Sequence, residues 1–260
     1  MVCGEETSLL FKPANKKTAA TTPLIDLHCH ILPGIDDGSP DMETTMGMIV
    51  IAERDNIRHI VASPHYRHTE NRPFRQIAGL LKKVQDEAEK GGIRVKLYSG
   101  ADVRLTYELL DAIKKREVPT INNSRYFLLE LPEIVPPRVD DFIFEAKIKG
   151  FVPIITHPER NYSLLAAPQK ATELKKSGAL FQLTAMSITG EFGRQIRNFS
   201  LRLLKEGHVD FVASDAHGTS RRTPVLSVAF REVAEILNDG VARTIFVDNP
   251  SAVLENHELL

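Results

Sequence analysis

The chain is short of cysteine: Cys3 and Cys29 are the only two in 260 residues, too few for a disulfide framework. It has no long apolar run. The longest is the short stretch around Ile49 to Ala52, against the roughly 18 residues a bilayer span needs. It has almost no net charge. Lys plus Arg is 33, Asp plus Glu is 34 and the formal charge is −1, so no general attraction to nucleic acid or to an anionic membrane is expected. Glu5 and Glu6 stand where a secretory leader would need an apolar segment. No Pro/Gly/Ser-rich linker and no low-complexity tract divides the chain. With 42% hydrophobic and 26% charged residues, the material is ordinary globular protein. These absences point to a soluble, cytoplasmic protein without a membrane span or a nucleic-acid partner. Residues 1–22 read as a flexible tail whose Leu9-Leu10-Phe11 triplet is its one apolar feature. Residues 23–260 read as a single domain.

From Pro23 onward one pattern recurs: a short apolar run ends in polar residues, and a segment with helical spacing follows. The runs are Leu24–Leu27, His59–Ala62, Val95–Tyr98, Tyr126–Leu129, Val152–Ile155, Leu180–Leu183 and Val209–Ala213, rich in Val, Ile, Leu and Phe as buried parallel strands are. Thr244–Val247 reads as a further short strand. Ser39-Pro40-Asp41 reads as a helix start, with Ser as cap and Pro at the first position. Leu80, Leu81 and Val84 repeat at helical spacing, and Pro136-Pro137 opens a segment read as a helix that carries Phe142, Phe144 and Ile148. Seven alternations imply a largely parallel α/β sheet. An open sheet is possible; a closed or nearly closed barrel fits better, because it brings every C-terminal strand end to one face.

Those ends carry the chemistry. His28-Cys29-His30 and Asp36-Asp37-Gly38 follow the first run, and residues i and i+2 of a strand share a face, so His28 and His30 can share one cation. Ser63-Pro64-His65, Gly100-Ala101-Asp102, Glu130, Thr156-His157-Pro158-Glu159-Arg160 and Ser214-Asp215-Ala216-His217 follow later runs. The sixth offers only Gln182, Thr184 and Ser187. A lone His or Asp after a strand is usually a structural hydrogen-bonding residue or a cap. Six of seven strand ends bearing such groups imply cations that neutralise them. Five imidazoles and at least three carboxylates exceed the four ligands of one tetrahedral zinc and suit two or three metals, with Mn, Fe, Co or Zn compatible with the mixed donors. Clusters of this kind activate water against phosphorus or a carbonyl carbon. Arg160, Arg221, Arg222, Arg67 and Arg72 lie near the same strand ends, and guanidinium forks match phosphate oxygens, which favours a phosphate ester.

Ile25-Asp26-Leu27-His28-Cys29-His30, Asp36-Asp37-Gly38, Ser63-Pro64-His65, the His157–Arg160 segment and Ser214–His217, in this order, resemble the polymerase-and-histidinol-phosphatase (PHP) superfamily. Asn123–Tyr126, Phe192-Gly193 and Asp248-Asn249-Pro250 are similar to its bacterial metal-dependent tyrosine-protein phosphatases of capsule and exopolysaccharide loci. The resemblance runs from about Leu24 to Pro250. It implies a distorted seven-stranded, TIM-like β/α barrel, the PHP fold, with two to three divalent metals, most often manganese. It implies metal ligands at His28, His30, Asp37, His65, Asp102, Glu130, His157, Asp215 and His217. It implies substrate-binding arginines at Arg160 and Arg222, with His217 also a candidate proton donor. The implied reaction is hydrolysis of phosphotyrosine by a metal-bridging hydroxide, on a protein such as the C-terminal tail of a bacterial tyrosine kinase, and a homo-oligomer is compatible. The sequence departs from the family at Asp102, where a Glu is usual; the shorter carboxylate bears on metal spacing. Ile35 and Leu9, not Arg, stand six positions after Cys29 and Cys3, so a cysteine phosphoenzyme is not expected. A small-molecule phosphatase acting on a substrate such as histidinol phosphate, a nuclease, and a catalytically silent metal-binding scaffold are the rival readings.

Overall fold

The structure is a computed structural model describing residues 22–67, 74–115 and 117–259. The expected tail, apart from Thr22, and Arg72 lie outside the described residues. Among the described residues nine strands form: β1 (Leu24–Cys29), β2 (Ile57–Ala62), β3 (His65–Tyr66), β4 (Lys96–Ser99), β5 (Asp102–Arg104), β6 (Tyr126–Glu130), β7 (Val152–Thr156), β8 (Leu180–Thr184) and β9 (Phe211–Ala213). They make two parallel sheets, one in the order β1-β2-β4 and one in the order β3-β5-β6-β7-β8-β9.

Seven apolar runs yield nine strands because two of the runs are interrupted and then resume. Ser63-Pro64 separates β2 from β3, and Gly100-Ala101 separates β4 from β5. Proline lacks the amide hydrogen a ladder needs. The break leaves the register intact: Ala62 pairs with Ser99 before it and His65 with Asp102 after it. The Pro64 carbonyl accepts from Asp102 N at 3.0 Å, so the step still aligns His65 with Asp102. At the other margin, Asp215 N donates to the His28 carbonyl at 2.8 Å and His30 N to the Ala216 carbonyl at 2.9 Å. These two bonds hold the segment after β9 against the end of β1.

Two apolar clusters flank the strands. The larger packs Ile60, Phe127, Leu129, Ile155, Phe181 and Val212 against helices such as Met42–Arg54 and Arg194–Lys205. The smaller joins Leu27, Val61, Leu128, Ile154 and Phe211 to Val253 and Leu254 near the C-terminus. Strand alternation makes this division: Leu128 and Ile154 point one way, Phe127 and Ile155 the other. Among the described residues no helix is long and apolar enough to cross a membrane.

Three local expectations need correction. Thr244–Val247 is helical, one turn widened to π geometry between the helices Asp239–Arg243 and Asn249–Leu254. Buried residues across this turn and its flanking helices, Ala242, Ile245, Phe246 and Val253, recur at helical spacing, which a four-residue apolar run does not reveal. The helix expected from Ser39 is capped by Asp41, whose carboxylate accepts from Thr44 N at 2.7 Å. Ser39 is occupied elsewhere: its amide donates to the His30 carbonyl at 3.1 Å and closes the loop between them. In the helix Val139–Ile148, Phe142 is buried while Phe144 and Ile148 are exposed.

Candidate metal centre

The end of β1 places the first two imidazoles. Ser63 Oγ accepts the Cys29 amide at 2.9 Å, the Cys29 side chain turns into the larger apolar cluster, and His28 and His30 face one another with their Nε2 atoms 3.1 Å apart. The loop that follows folds back closely enough that a Cβ on Gly38 would lie 2.2 Å from the His30 carbonyl oxygen; only glycine fits there. That closure presents Asp36 to His30 Nδ1 at 2.7 Å and Asp37 to His65 Nε2 at 3.5 Å. The two neighbouring aspartates thus divide the work: Asp36 orients the His30 imidazole and Asp37 faces the centre. Asp36 is held down to about 2; burial opposes this, but its bonds to His30 and to the Gly38 and His65 amides outweigh it.

The side chains expected from five other strand ends meet here. Three sets of ligand atoms lie mutually within 4.8 Å: His30, Asp37, His65 and His217; His28, His30 and Asp215; and His65, Asp102 and Glu130. Eight of the nine residues named from the sequence are in these sets. His157 is outside them, with Nε2 3.9 Å from Asp102 Oδ2 and its ring 5.8 Å from that of His28.

Asp102 is the chemical test of whether cations fit. It is fully buried. Its Oδ1 accepts from Thr156 at 3.1 Å, while Oδ2 accepts no hydrogen bond among the described residues. Around that orphaned oxygen stand His65 Nδ1 at 3.5 Å, His28 Nε2 at 3.8 Å and His157 Nε2 at 3.9 Å. A buried acceptor without a donor is costly, and imidazole nitrogens with carboxylate oxygens are the donor set for divalent transition metals. The residues fit the cations the sequence implied, and the shorter Asp102 still reaches the centre. Burial would raise its carboxyl, but the His28 charge and the neighbouring imidazoles hold it well below its usual range. Burial likewise pushes His28 down to about 4, against the pull of Asp102 and Asp215. At His65 burial acts downward too, but the Asp102 carboxylate more than offsets it and carries His65 up to about 9.

Asp215 divides its two oxygens. Oδ1 lies 3.5 Å from Nε2 of both His28 and His30. Oδ2 accepts from Nη2 of Arg160 and Nη2 of Arg222, each at 2.6 Å. Burial would raise this carboxyl; His28 and the guanidinium pair keep it low. The two arginines named from the sequence therefore stand directly beside the centre. His157, Asp215 and Arg222 all hold left-handed backbone, with φ of 36°, 51° and 50°. Such geometry is uncommon for residues with side chains and clusters at functional sites.

Three supporting residues carry roles that sequence reasoning did not assign. Asp26 accepts from Ser214 N at 2.9 Å and Ser214 Oγ at 2.5 Å, fixing the turn that delivers Asp215; burial raises it to about 6. Gln182 Oε1 lies 2.8 Å from His28 Nδ1, where it orients the ring. Glu159 is buried and accepts from Thr184 N at 3.0 Å and Ser187 Oγ at 2.6 Å. For Asp26 and Glu159 the signal in the sequence is position, next to the ligand-type side chains His28 and His157; Gln182 lies on β8, whose end carries no such side chain.

The model of the family described as "Capsular polysaccharide synthesis, CpsB/CapC" matches residues 24–255. The chain belongs to the CpsB/CapC family. Its CpsB/CapC relatives include a putative tyrosine-protein phosphatase CapC of Staphylococcus aureus, 33% identical over 80% of this chain and 83% of the relative. The tyrosine-protein phosphatase YwqE of Bacillus subtilis is 34% identical over 76% and 79%. Among solved structures, the chain matches one from a study of YwqE from Bacillus subtilis and CpsB from Streptococcus pneumoniae, described as unique metal-dependent tyrosine phosphatases. The TM-score is 0.87 at 30% identity, covering 91% of this chain and 96% of that one.

Proposed function

We propose that the chain is a metal-dependent phosphotyrosine-protein phosphatase acting in capsule or exopolysaccharide synthesis, with the C-terminal tail of a bacterial tyrosine kinase as its protein substrate. The observation that carries this reading is the pair of arginines converging on Asp215, on the edge of a nest of imidazoles and carboxylates. Residues 23–260 are read as one catalytic domain. The backbone bonds between β1 and the segment after β9 support reading the two sheets as one distorted barrel.

His28, His30, Asp37, His65, Asp102, Glu130, His157, Asp215 and His217 would hold two to three divalent ions, manganese first among them. Ions bound there supply Lewis acidity toward the phosphoryl group and a water acidic enough to act as nucleophile. The protein's own contribution is positioning and charge. Arg160 and Arg222 present guanidinium N–H groups to the phosphoryl oxygens as negative charge builds on them. Asp215 aims both guanidinium groups before substrate arrives, so less order is imposed during reaction. Gln182 and Asp36 keep His28 and His30 in fixed orientations, as partners of ligating imidazoles do. His217 Nδ1 is held by the Asp215 carbonyl at 2.9 Å and its Nε2 lies 3.6 Å from Asp37. Burial and the neighbouring His30 push it down to about 4, so it is neutral near pH 7, the form that ligates. Phenolate is a good leaving group and needs little help from a proton donor.

The test is phosphate release from a phosphotyrosine peptide, beside histidinol phosphate and a dinucleotide diester, after chelator treatment and separate reloading with Mn, Co, Zn, Fe and Mg. Metal-dependent turnover concentrated on the peptide is expected. Turnover mainly on either of the others transfers the function to a rival, and retained metal with no turnover leaves a silent scaffold. Arg160→Ala should stay folded and metal-loaded while losing roughly 100-fold or more in turnover; unchanged turnover removes Arg160 from the mechanism.

A further inference from the structure

Phe192 is an aromatic side chain that the proposed chemistry does not use. It sits in a tight turn between two glycines with left-handed backbone, Gly190 at φ 99° and Gly193 at φ 94°, and the turn is closed by Gly193 N donating to the Gly190 carbonyl at 2.9 Å. Its ring is half-buried, and its centroid lies 5.0 Å from Cζ of Arg160. Arg160 is therefore gripped from two sides, by Asp215 at 2.6 Å through Nη2 and by the Phe192 face. The two turns are also fastened together. Glu159, the residue before Arg160, accepts from Thr184 N and Ser187 Oγ, and Ser187 belongs to the short helix Ala185–Thr189 that leads straight into the Phe192 turn. A buried carboxylate thus ties a guanidinium and an aromatic ring into one rigid piece at the edge of the centre.

We infer that Phe192 is a specificity-determining residue, the wall against which the aromatic leaving group of an aryl phosphate packs. The inference rests on the phosphatase reading. Because the Phe192 ring packs against Arg160 itself, a phosphoryl group held by Arg160 and Arg222 would bring its ester substituent close to Phe192. Aromatic rings attract one another edge-to-face or offset, beyond the area they bury. An alkyl ester such as phosphoserine offers no ring to pack on the Phe192 side chain. Phe192 thus favours phosphotyrosine over phosphoserine and phosphothreonine.

The test is calorimetric binding of phenylphosphonate and of methylphosphonate to the full-length, metal-loaded protein. Neither ligand is hydrolysed, so binding is read apart from catalysis. The parent should prefer phenylphosphonate. Phe192→Leu, which keeps apolar bulk without a ring, and Phe192→Ala should each reduce that preference by roughly three- to tenfold, with metal content and melting temperature retained, and Phe192→Tyr should keep it. A parent with no preference overturns the inference. So does an undiminished preference in the Leu and Ala variants, or an equal weakening of both ligands, which would mean that Phe192 only orients Arg160. Turnover of a phosphotyrosine peptide by the parent is measured separately: its absence overturns the phosphatase reading, and the phosphonate ratio still decides the role of Phe192.

Discussion

On β6, Leu128 packs with Ile154 and Phe211, while Glu130, two residues on and on the same face, stands within ligand distance of His65 and Asp102. On β7, Ile154 is followed in the same way by Thr156, which donates to Asp102. One step of the pleat separates a dry apolar layer from a layer of imidazoles and carboxylates. The lower layer gains free energy from burial, about 25 cal/mol for each Å² of apolar surface removed from water. The upper layer holds buried charges at fixed places, which costs stability unless each is paired or neutralised. The charged layer therefore rests on the stability of the apolar layer beneath it, and the two should respond differently to substitution.

The largest expected effect is in the upper layer. Asp215→Asn weakens a proposed metal ligand and the shared partner of both arginines. Turnover should fall by more than the roughly 10²- to 10³-fold that one lost transition-state donor costs, with metal content, read by elemental analysis, falling alongside. If metal content and turnover are both kept, Asp215 is not part of the centre. Leu128→Ala is the counterpart below. It should cost about 2–5 kcal/mol in denaturant unfolding while metal content at low temperature stays at the parent level; lost metal would show that the layers are not separable. Gln182→Ala strikes the seam between them. It frees His28 Nδ1 and should lower metal affinity or turnover by roughly 10- to 100-fold with little change in melting temperature.

The smallest effect is a matter of pH. His59, on the apolar side, sits 2.9 Å from the Tyr98 hydroxyl, and burial, with Lys96 beside it, holds it below 6.5. A base depressed in the folded state binds its proton more readily when unfolded, so its contribution is present above about pH 6.5 and is lost as pH falls toward its folded value. His59→Gln should flatten that part of the stability–pH curve relative to the parent; identical slopes would leave His59 without a role in acid sensitivity.

Much of the upper layer was legible in the sequence because its residues follow apolar runs: His28, Glu130, His157 and Asp215 stand at or just past the end of a strand, and His65 and Asp102 open the short strands that resume after an interruption. Alternation then gives the face they share. What was not legible depends on which neighbour lies across the gap. Nothing local separates Asp36, which orients His30, from Asp37, which faces His65 and His217. The roles of Gln182 and Asp26 need the distant partners His28 and Ser214 to be known. The strand interruptions at Ser63-Pro64 and Gly100-Ala101 were visible as residues, but their alignment across the pair was not. Thr244–Val247 failed for another reason: a short apolar run is compatible with either period, and the neighbouring helical turns decided it.

Under the proposed function, the left-handed backbone at His157, Asp215 and Arg222 would set heat resistance against activity. Glycine adopts that conformation without a Cβ clash, so a change such as His157→Gly would relax the main chain even as it deletes an imidazole. A library of variants sorted only for survival at high temperature would accumulate glycine at such positions and drift toward robust, inert proteins, as strained sites generally do when stability alone is rewarded. Read in reverse, positions where glycine improves heat tolerance and abolishes turnover would trace the outline of the active centre without any substrate in hand.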